Sequence, residues 1–320
     1  MQTSSWRVAT MTDVCVVGSF MMDMIVRTPR FPRPGETVTG SSLTTLPGGK
    51  GFNQAVAAAR AGASTAMVGL LGADAFGDAF AVALAQEQID STAVSRTAAA
   101  GTGVGLPLVD DTGQNAIVIV PQANLAVDAA MIEHFASVID GAQVVVLQLE
   151  IPDDAIVAAA TIAHEAHAVV VLNPAPFRTL PAELLPLVDL LTPNEHELEQ
   201  LAATIDATCL SVVETAREVA RRTGVQIVVT LGEAGALVVD SEGATSVPAY
   251  RVHAIDTVGA GDAFTGNLAA GLAKGMPIRE SARRANAAAA LSVTAVGGAA
   301  SAPTAHQTDT FLGAHEGASC

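Results

Sequence analysis

Residues 144–172, VVVLQLEIPDDAIVAAATIAHEAHAVVVL, hold the pattern on which the fold turns. Val144–Gln148 reads as a buried strand, Asp153–Ala166 as an alanine-rich helix, and Val169–Leu172 as a second buried strand. Apolar strands separated by a helix make a βαβ unit, with parallel strands covered on both faces. The same alternation extends toward the N-terminus as strands Val14–Gly18 and Ala66–Leu71 with helices Phe52–Ala61 and Phe76–Glu87. Toward the C-terminus it continues as strands Leu187–Thr192, Ile227–Leu231 and Ala236–Val239 with helices Glu195–Ala202 and Val212–Thr223. Two more alanine-rich helices, roughly 262–274 and 279–295, finish the core. The expected fold class is α/β around a mostly parallel sheet.

Two segments break the alternation. Residues 20–46 place Met24–Val26 and Thr37–Thr45 around Pro29, Pro32, Pro34 and Gly35; residues 101–120 place Thr102–Val109 and Ala116–Val120 around Asp110, Asp111, Thr112 and Gly113. Turn chemistry of this kind makes antiparallel hairpins. They are expected to form a small β-lid over the strand ends. Residues 1–12 read as a loose leader, 13–303 as the folded domain with its lid, and 304–320 as a polar, mobile tail.

Half of the 320 residues are apolar, which suffices for a large core, and only 3% are aromatic. The formal charge of −16 repels nucleic acid and anionic membrane, and leaves any phosphate site to be built locally. Lysine occurs only at Lys50 and Lys274. Cys15, Cys209 and Cys320 lie far apart without metal-ligand spacing, which points to a reducing cytoplasm. The run Val14–Val17 is too short to span a bilayer.

The segment most charged with chemistry is Asp256-Thr257-Val258-Gly259-Ala260-Gly261-Asp262-Ala263-Phe264. Gly259, Ala260 and Gly261 leave the amides at a helix start unobstructed, and such amides hold anions. Asp262 beside them is placed to accept a proton from a substrate hydroxyl. The spacing alone also allows Asp262 to be a helix cap. A second cluster, Pro47-Gly48-Gly49-Lys50-Gly51-Phe52-Asn53-Gln54-Ala55, lacks the spacing of a phosphate-cradling P-loop. Its Lys50, Asn53 and bare amides suit the paired donors and acceptors of a sugar, or form an ordinary glycine turn. Asp23 and Glu150 follow strands, where ligands of open α/β sheets gather, or are solvated loop acids. Asn194 and Glu197 share one helix face, a place for phosphate or hydrated Mg²⁺ or a plain helix start. Thr230-Leu231-Gly232-Glu233-Ala234-Gly235 is a strand and glycine turn compatible with nucleotide contact.

In this order the segments resemble the ribokinase-like family of sugar and nucleoside kinases, from about Val14 to Pro303. Gly48-Gly49-Lys50-Gly51 with Asn53-Gln54-Ala55 is similar to that family's first signature, and Asp256-Thr257 through Gly259-Ala260-Gly261-Asp262 to its second. The resemblance implies a doubly wound sheet with helices on both faces, a β-lid closing over a sugar, and phosphoryl transfer from ATP·Mg²⁺ to a CH₂OH group. It implies that Asp262 is the base and that Gly259, Ala260 and Gly261 form its anion hole. Met21, Asp23, Gly49, Lys50, Gly51, Asn53 and Glu150 match sugar-side positions. Asn194, Glu197, Thr230, Leu231, Gly232, Glu233, Ala234, Gly235 and Asn286 match the nucleotide side. Asp256, Val258, Ser292, Ala295, Gly297 and Ser301 match a monovalent-cation loop, which implies K⁺ activation.

Pro34-Gly35-Glu36-Thr37-Val38, Asn173-Pro174-Ala175-Pro176 and Thr192-Pro193-Asn194-Glu195 look like the ribokinase branch. Ribose is the expected substrate. Met21, where many bacterial ribokinases carry an asparagine that reaches the sugar, makes 2-deoxyribose its rival, because a thioether cannot donate to a hydroxyl. Phe52, where alanine is usual, is expected to reshape the sugar pocket. A nucleoside kinase would use the same machinery with a larger pocket, and a non-enzymatic sugar sensor would lose the base or the anion hole. Exposed lid strands invite a second copy, so a homodimer is expected.

Overall fold

The computed structural model describes residues 12–207 and 209–316. Along the chain, β1 (Thr12–Val17) leads into β2 (Met21–Arg27) and β3 (Ser42–Gly48). Then come α1 (Lys50–Arg60), β4 (Thr65–Gly72), α2 (Ala75–Gln86), β5 (Asp90–Thr97), β6 (Gly103–Val109) and β7 (Asn115–Val120). The middle of the chain holds α3 (Ala129–His134), α4 (Ala136–Asp140), β8 (Ala142–Leu147), α5 (Asp153–Glu165) and β9 (Val169–Leu172). It continues as β10 (Leu190–Leu191), α6 (Glu195–Thr204), α7 (Val212–Thr223), β11 (Gln226–Thr230), β12 (Ala236–Asp240) and β13 (Gly243–Val247). The end is helical: α8 (Ala260–Ala273), α9 (Ile278–Ser292), α10 (Gly298–Ser301) and α11 (Ala305–Glu316).

The βαβ reading holds: β8 and β9 pair in parallel, Val144 opposite Val169, across the α5 crossover. The large sheet runs β13-β12-β11-β10-β9-β8-β1-β4-β5, parallel except for its β12 and β13 edge. Successive residues of β8 face opposite sides. Val145 and Leu147 pack with Ile156, Leu198 and Val219 on one face, while Val144 and Val146 pack with Phe52, Phe264 and Leu268 on the other. The sheet is therefore doubly wound. The chain leaves β1 toward β4 on one side and reaches β8 on the other. That switch opens a crevice at the carboxyl ends of β1 and β8, where Ser19 and Glu150 stand.

The lid is a separate sheet of order β3-β2-β6-β7. Its two expected hairpins are antiparallel pairs, β2 with β3 and β6 with β7, joined by a parallel β2–β6 contact. The lid joins the main sheet at Phe20, whose backbone N–H donates to Asn124 Oδ1 at 2.9 Å and whose carbonyl accepts from Asn124 Nδ2 at 2.8 Å. A single amide thus holds the β1–β2 junction to the segment after β7.

Several expectations change. The strand expected over Leu187–Thr192 shrinks to Leu190–Leu191, because Leu185–Leu187, with Pro186 in it, closes a 3-10 turn. The tail expected from 304 is helical over its described part. Thr304 and Gln307 cap it reciprocally, Leu312 is buried, and Asp309 meets Arg284 of α9 at 2.6 Å. The leader lies outside the described residues except for Thr12, which opens β1. Phe52 is buried, with its ring 5.0 Å from Phe80 and 6.2 Å from Phe20.

One helix crossing places the site. A Cβ on Gly266 of α8 would lie 2.5 Å from the Gln54 carbonyl, so only glycine lets α8 rest on α1 this closely. That contact brings the first turn of α8 over the first turn of α1.

Candidate active site

Helix α8 starts after Gly259, which holds φ at 79°, and a Cβ there would sit 2.6 Å from the Cα of Gly298. Glycine satisfies both demands. The first amides of the helix have no intrahelical acceptor. Nothing lies within 4 Å of the position a Cβ would take on Gly261, so the space there is open. Asp262 does not cap its own helix: no side chain bonds the helix start. Its buried carboxylate turns instead to α1, accepting from Asn53 Nδ2 at Oδ2 and from Gln54 Nε2 at Oδ1, both at 2.9 Å. The helix-cap reading thus falls, and an acceptor stands beside the open amides of Gly259 and Gly261, while the Ala260 amide donates to the Thr257 carbonyl at 3.3 Å.

Around Asp262 four charged groups converge from different elements. Glu150 Oε2 accepts from Ser19 Oγ at 2.5 Å and from the Lys50 amide at 2.9 Å. Burial raises the Glu150 carboxyl above its ordinary range, against the pull of Lys50 and Ser19. Asp23 of β2 is pushed up to about 6, by burial first and then by Glu150 and Asp262. Burial draws the Lys50 ammonium down, but Asp262, Glu150 and Glu197 outweigh it and leave it above its ordinary value. Lys50 forms no ion pair or hydrogen bond through its ammonium among the described residues. Glu197, the fourth group, is raised by burial. One cation therefore stands among four carboxylates, a place that favours hydroxyl donors and cations. Gly49, at φ 89°, and Gly51 bring the start of α1 against Met21 and Ser19. Met21 is buried, with its sulfur 3.9 Å from Asn124 Nδ2.

Of the residues matched to the nucleotide side, Glu197 lies within electrostatic reach of Lys50 and Asp262. Asn194 and Glu197 make a reciprocal capping box on α6, at 2.8 and 2.9 Å, so the plain helix-start reading is realised. Asn194 also bridges to Thr230, where β11 ends and Leu231, Gly232, Glu233, Ala234 and Gly235 turn back with Leu231 donating to the Gly235 carbonyl. Asn286 on α9 spends its Nδ2 on the carbonyls of Val247 and Pro248, at 2.9 and 3.2 Å, which leaves only its oxygen for a ligand.

Asp256 ties the loop before α8 to the loop before α10. Its Oδ1 accepts from Val258 N and its Oδ2 from Gly297 N, both at 3.0 Å. The Asp256 amide donates to Val293 O, and the hydroxyls of Ser292 and Ser301 each donate to a nearby carbonyl. Those hydroxyl oxygens keep lone pairs.

Three residues near Asp262 were given no role of their own in the sequence. Gln54, Gln148 and Asn173 form a buried amide network behind Asp262. Gln148 and Asn173 stand at the ends of apolar strands, and a polar residue at such a place was the available signal.

A model of the pfkB family carbohydrate kinases matches residues 11–305. A ribokinase of Haemophilus influenzae is 38% identical over 93% of this chain and 97% of its own length. A deoxyribokinase of Salmonella typhi is 34% identical over 95% of this chain and all of its own. The solved structure of Arabidopsis thaliana ribokinase complexed with ribose and ATP superposes with a TM-score of 0.88, at 32% identity, over 94% of this chain and 98% of that one. Signatures, fold and matched length agree: the chain belongs to the pfkB family of carbohydrate kinases, phosphotransferases that act on a sugar hydroxyl.

Proposed function

We propose that this protein transfers the γ-phosphoryl group of ATP to the terminal hydroxyl of a pentose, ribose first, by direct in-line displacement. The observation that carries this reading is the position of Asp262. It stands beside the open amides of Gly259 and Gly261, within electrostatic reach of Asp23, Lys50, Glu150 and Glu197. Asp262 accepts the hydroxyl proton, and the amides of Gly259, Ala260 and Gly261 stabilise the charge spread over the moving group. ATP enters as its Mg²⁺ complex, with Glu197 and Asn194 on the metal side. The lid of β2, β3, β6 and β7 excludes water that would otherwise hydrolyse ATP. The ribokinases of similar length and sequence support ribose.

A second reading, 2-deoxyribose, rests on Met21, a buried thioether with no donor to offer a sugar hydroxyl. A coupled assay with ribose, 2-deoxyribose and adenosine ranks the three, and activity confined to adenosine overturns the pentose assignment. Asp262→Asn is expected to lower kcat by about 10²–10⁴-fold and leave sugar binding in place. Near-normal turnover in that variant would remove Asp262 as the base.

The same reading extends to K⁺ in the oxygen-lined loop of Asp256, Val258, Ser292, Ala295, Gly297 and Ser301, where it would stiffen the anion hole. It also extends to a homodimer through the lid and to a cytoplasmic setting. Cys15 and Cys209 form no disulfide, and the described helices include none long and apolar enough to cross a membrane. A thiol titration that finds oxidised cysteine in the freshly isolated protein would count against the cytoplasm.

A further inference from the structure

The amides behind Asp262 form a chain whose direction is set at a backbone oxygen. The Thr192 carbonyl is an acceptor only, so the end of Asn173 that meets it at 2.8 Å is Nδ2. Asn173 Oδ1 then faces Gln54 and accepts from Nε2 at 3.1 Å. The same Nε2 donates to Asp262 Oδ1 at 2.9 Å, which uses both of its protons. Gln54 Oε1 is left to accept from Gln148 Nε2 at 2.7 Å. Gln54 and Gln148 are wholly buried and Asn173 nearly so. No member can turn over without setting a buried donor against a donor or an acceptor against an acceptor.

We propose that Gln54 is a positioning residue that gives the two oxygens of Asp262 different tasks: Oδ1 is committed to Gln54, and Oδ2 receives the substrate's proton. The inference rests on Asp262 being the base. Each oxygen carries one amide donor, but the Gln54 donor is held in a wholly buried network, so Oδ2 is the oxygen whose partner can give way to a substrate hydroxyl. The partner of Oδ2 is Asn53 Nδ2, and Asn53 Oδ1 is buried without a hydrogen bond. An incoming hydroxyl-bearing ligand can supply that missing donor and draw Asn53 away from Oδ2. In the transfer step the sugar O–H bond breaks and its proton goes to Asp262 Oδ2. The sugar oxygen forms a bond to the γ-phosphorus, and the bond from phosphorus to ADP breaks with its electron pair leaving on ADP.

Gln54→Met keeps the side-chain volume and removes the donors. The expected result is a fall in kcat of about 10–100-fold, the weight of one charge-assisted hydrogen bond, with KM for sugar and ATP within about twofold. Gln148→Met, which removes the donor to Gln54 Oε1 and so weakens the hold on the Gln54 amide, is expected to lower kcat by about 3–10-fold with the same unchanged KM. Should circular dichroism find Gln54→Met unfolded, Gln148→Met decides by the same split between kcat and KM. Wild-type kcat in the folded variant, or a loss carried by KM, overturns the proposal. Asp262→Asn assayed in parallel separates the two readings. A dead Asp262→Asn beside an unaffected Gln54→Met overturns the positioning role alone, and an active Asp262→Asn overturns the base and the positioning role together.

Discussion

Replacing Asp23 with asparagine probes the electrostatics of the cleft through stability and binding at once. The carboxylate of Asp23 sits where a Cβ on Gly48 or Gly105 would lie 2.3 or 2.4 Å from its oxygens, so two glycines make its room. No hydrogen bond to that carboxylate exists among the described residues. Burial, then Glu150, then Asp262 push its carboxyl from 3.8 to about 6. At about 1.4 kcal/mol for each pH unit, and allowing for screening at a half-buried group, the ionised form costs the fold ~1–2 kcal/mol. The native chain holds this proton more tightly than the unfolded chain. Stability from this group is therefore greatest below 3.8, declines as pH rises to about 6, and stays low above that. Asp23→Asn removes the decline. Urea unfolding should show the variant more stable by ~1–2 kcal/mol near pH 7.5 and equal to wild type near pH 4. The same variant loses an acceptor for sugar hydroxyls, so its sugar KM should rise about tenfold or more. In the wild type, sugar KM should climb as pH falls through about 6. A stability difference that is absent, or that does not change with pH, refutes this account of the cleft.

Two other outcomes follow from the loops and the lid. At constant ionic strength, exchanging Na⁺ for K⁺ should raise kcat about 3–10-fold, an effect of a cation in an oxygen-lined loop. Asp256→Asn, which leaves one acceptor for the amides of Val258 and Gly297, should flatten that response; equal rates in K⁺, Na⁺ and choline overturn the cation site. The apolar side chains of β7 are open to solvent, with Ile117 at 56% and Ile119 at 51% exposure, as a covered surface would be in a lone chain. Light scattering at micromolar concentration should report a dimer that Ile119→Lys dissociates, and a monomeric wild-type protein refutes the lid contact.

Much of the fold was legible because periodicity records burial. The valine runs of β8 and β9, buried on both faces, read at once as parallel strands around α5. Signals failed where burial was partial. Strand β5, Asp90–Thr97, is a polar edge strand, exposed at half of its positions, and β13 is another edge; neither has an apolar rhythm to find. Helix α11 looked like a tail because its burial comes from α9, far off in the sequence, rather than from its own composition.

At the site, the sequence by itself determined what is local: glycines where the backbone needs φ > 0, bare amides at the start of α8, and acids just past strand ends. It could not say what Asp262 faces. The spacing allowed a cap, and the choice against it came from Asn53 and Gln54, 209 and 208 residues away along the chain. Those bonds exist because Gly266 lets α8 settle on α1. Local pattern encodes which way a side chain is buried and how the backbone bends. The partner it meets depends on how two helices cross, and only the folded chain sets that crossing.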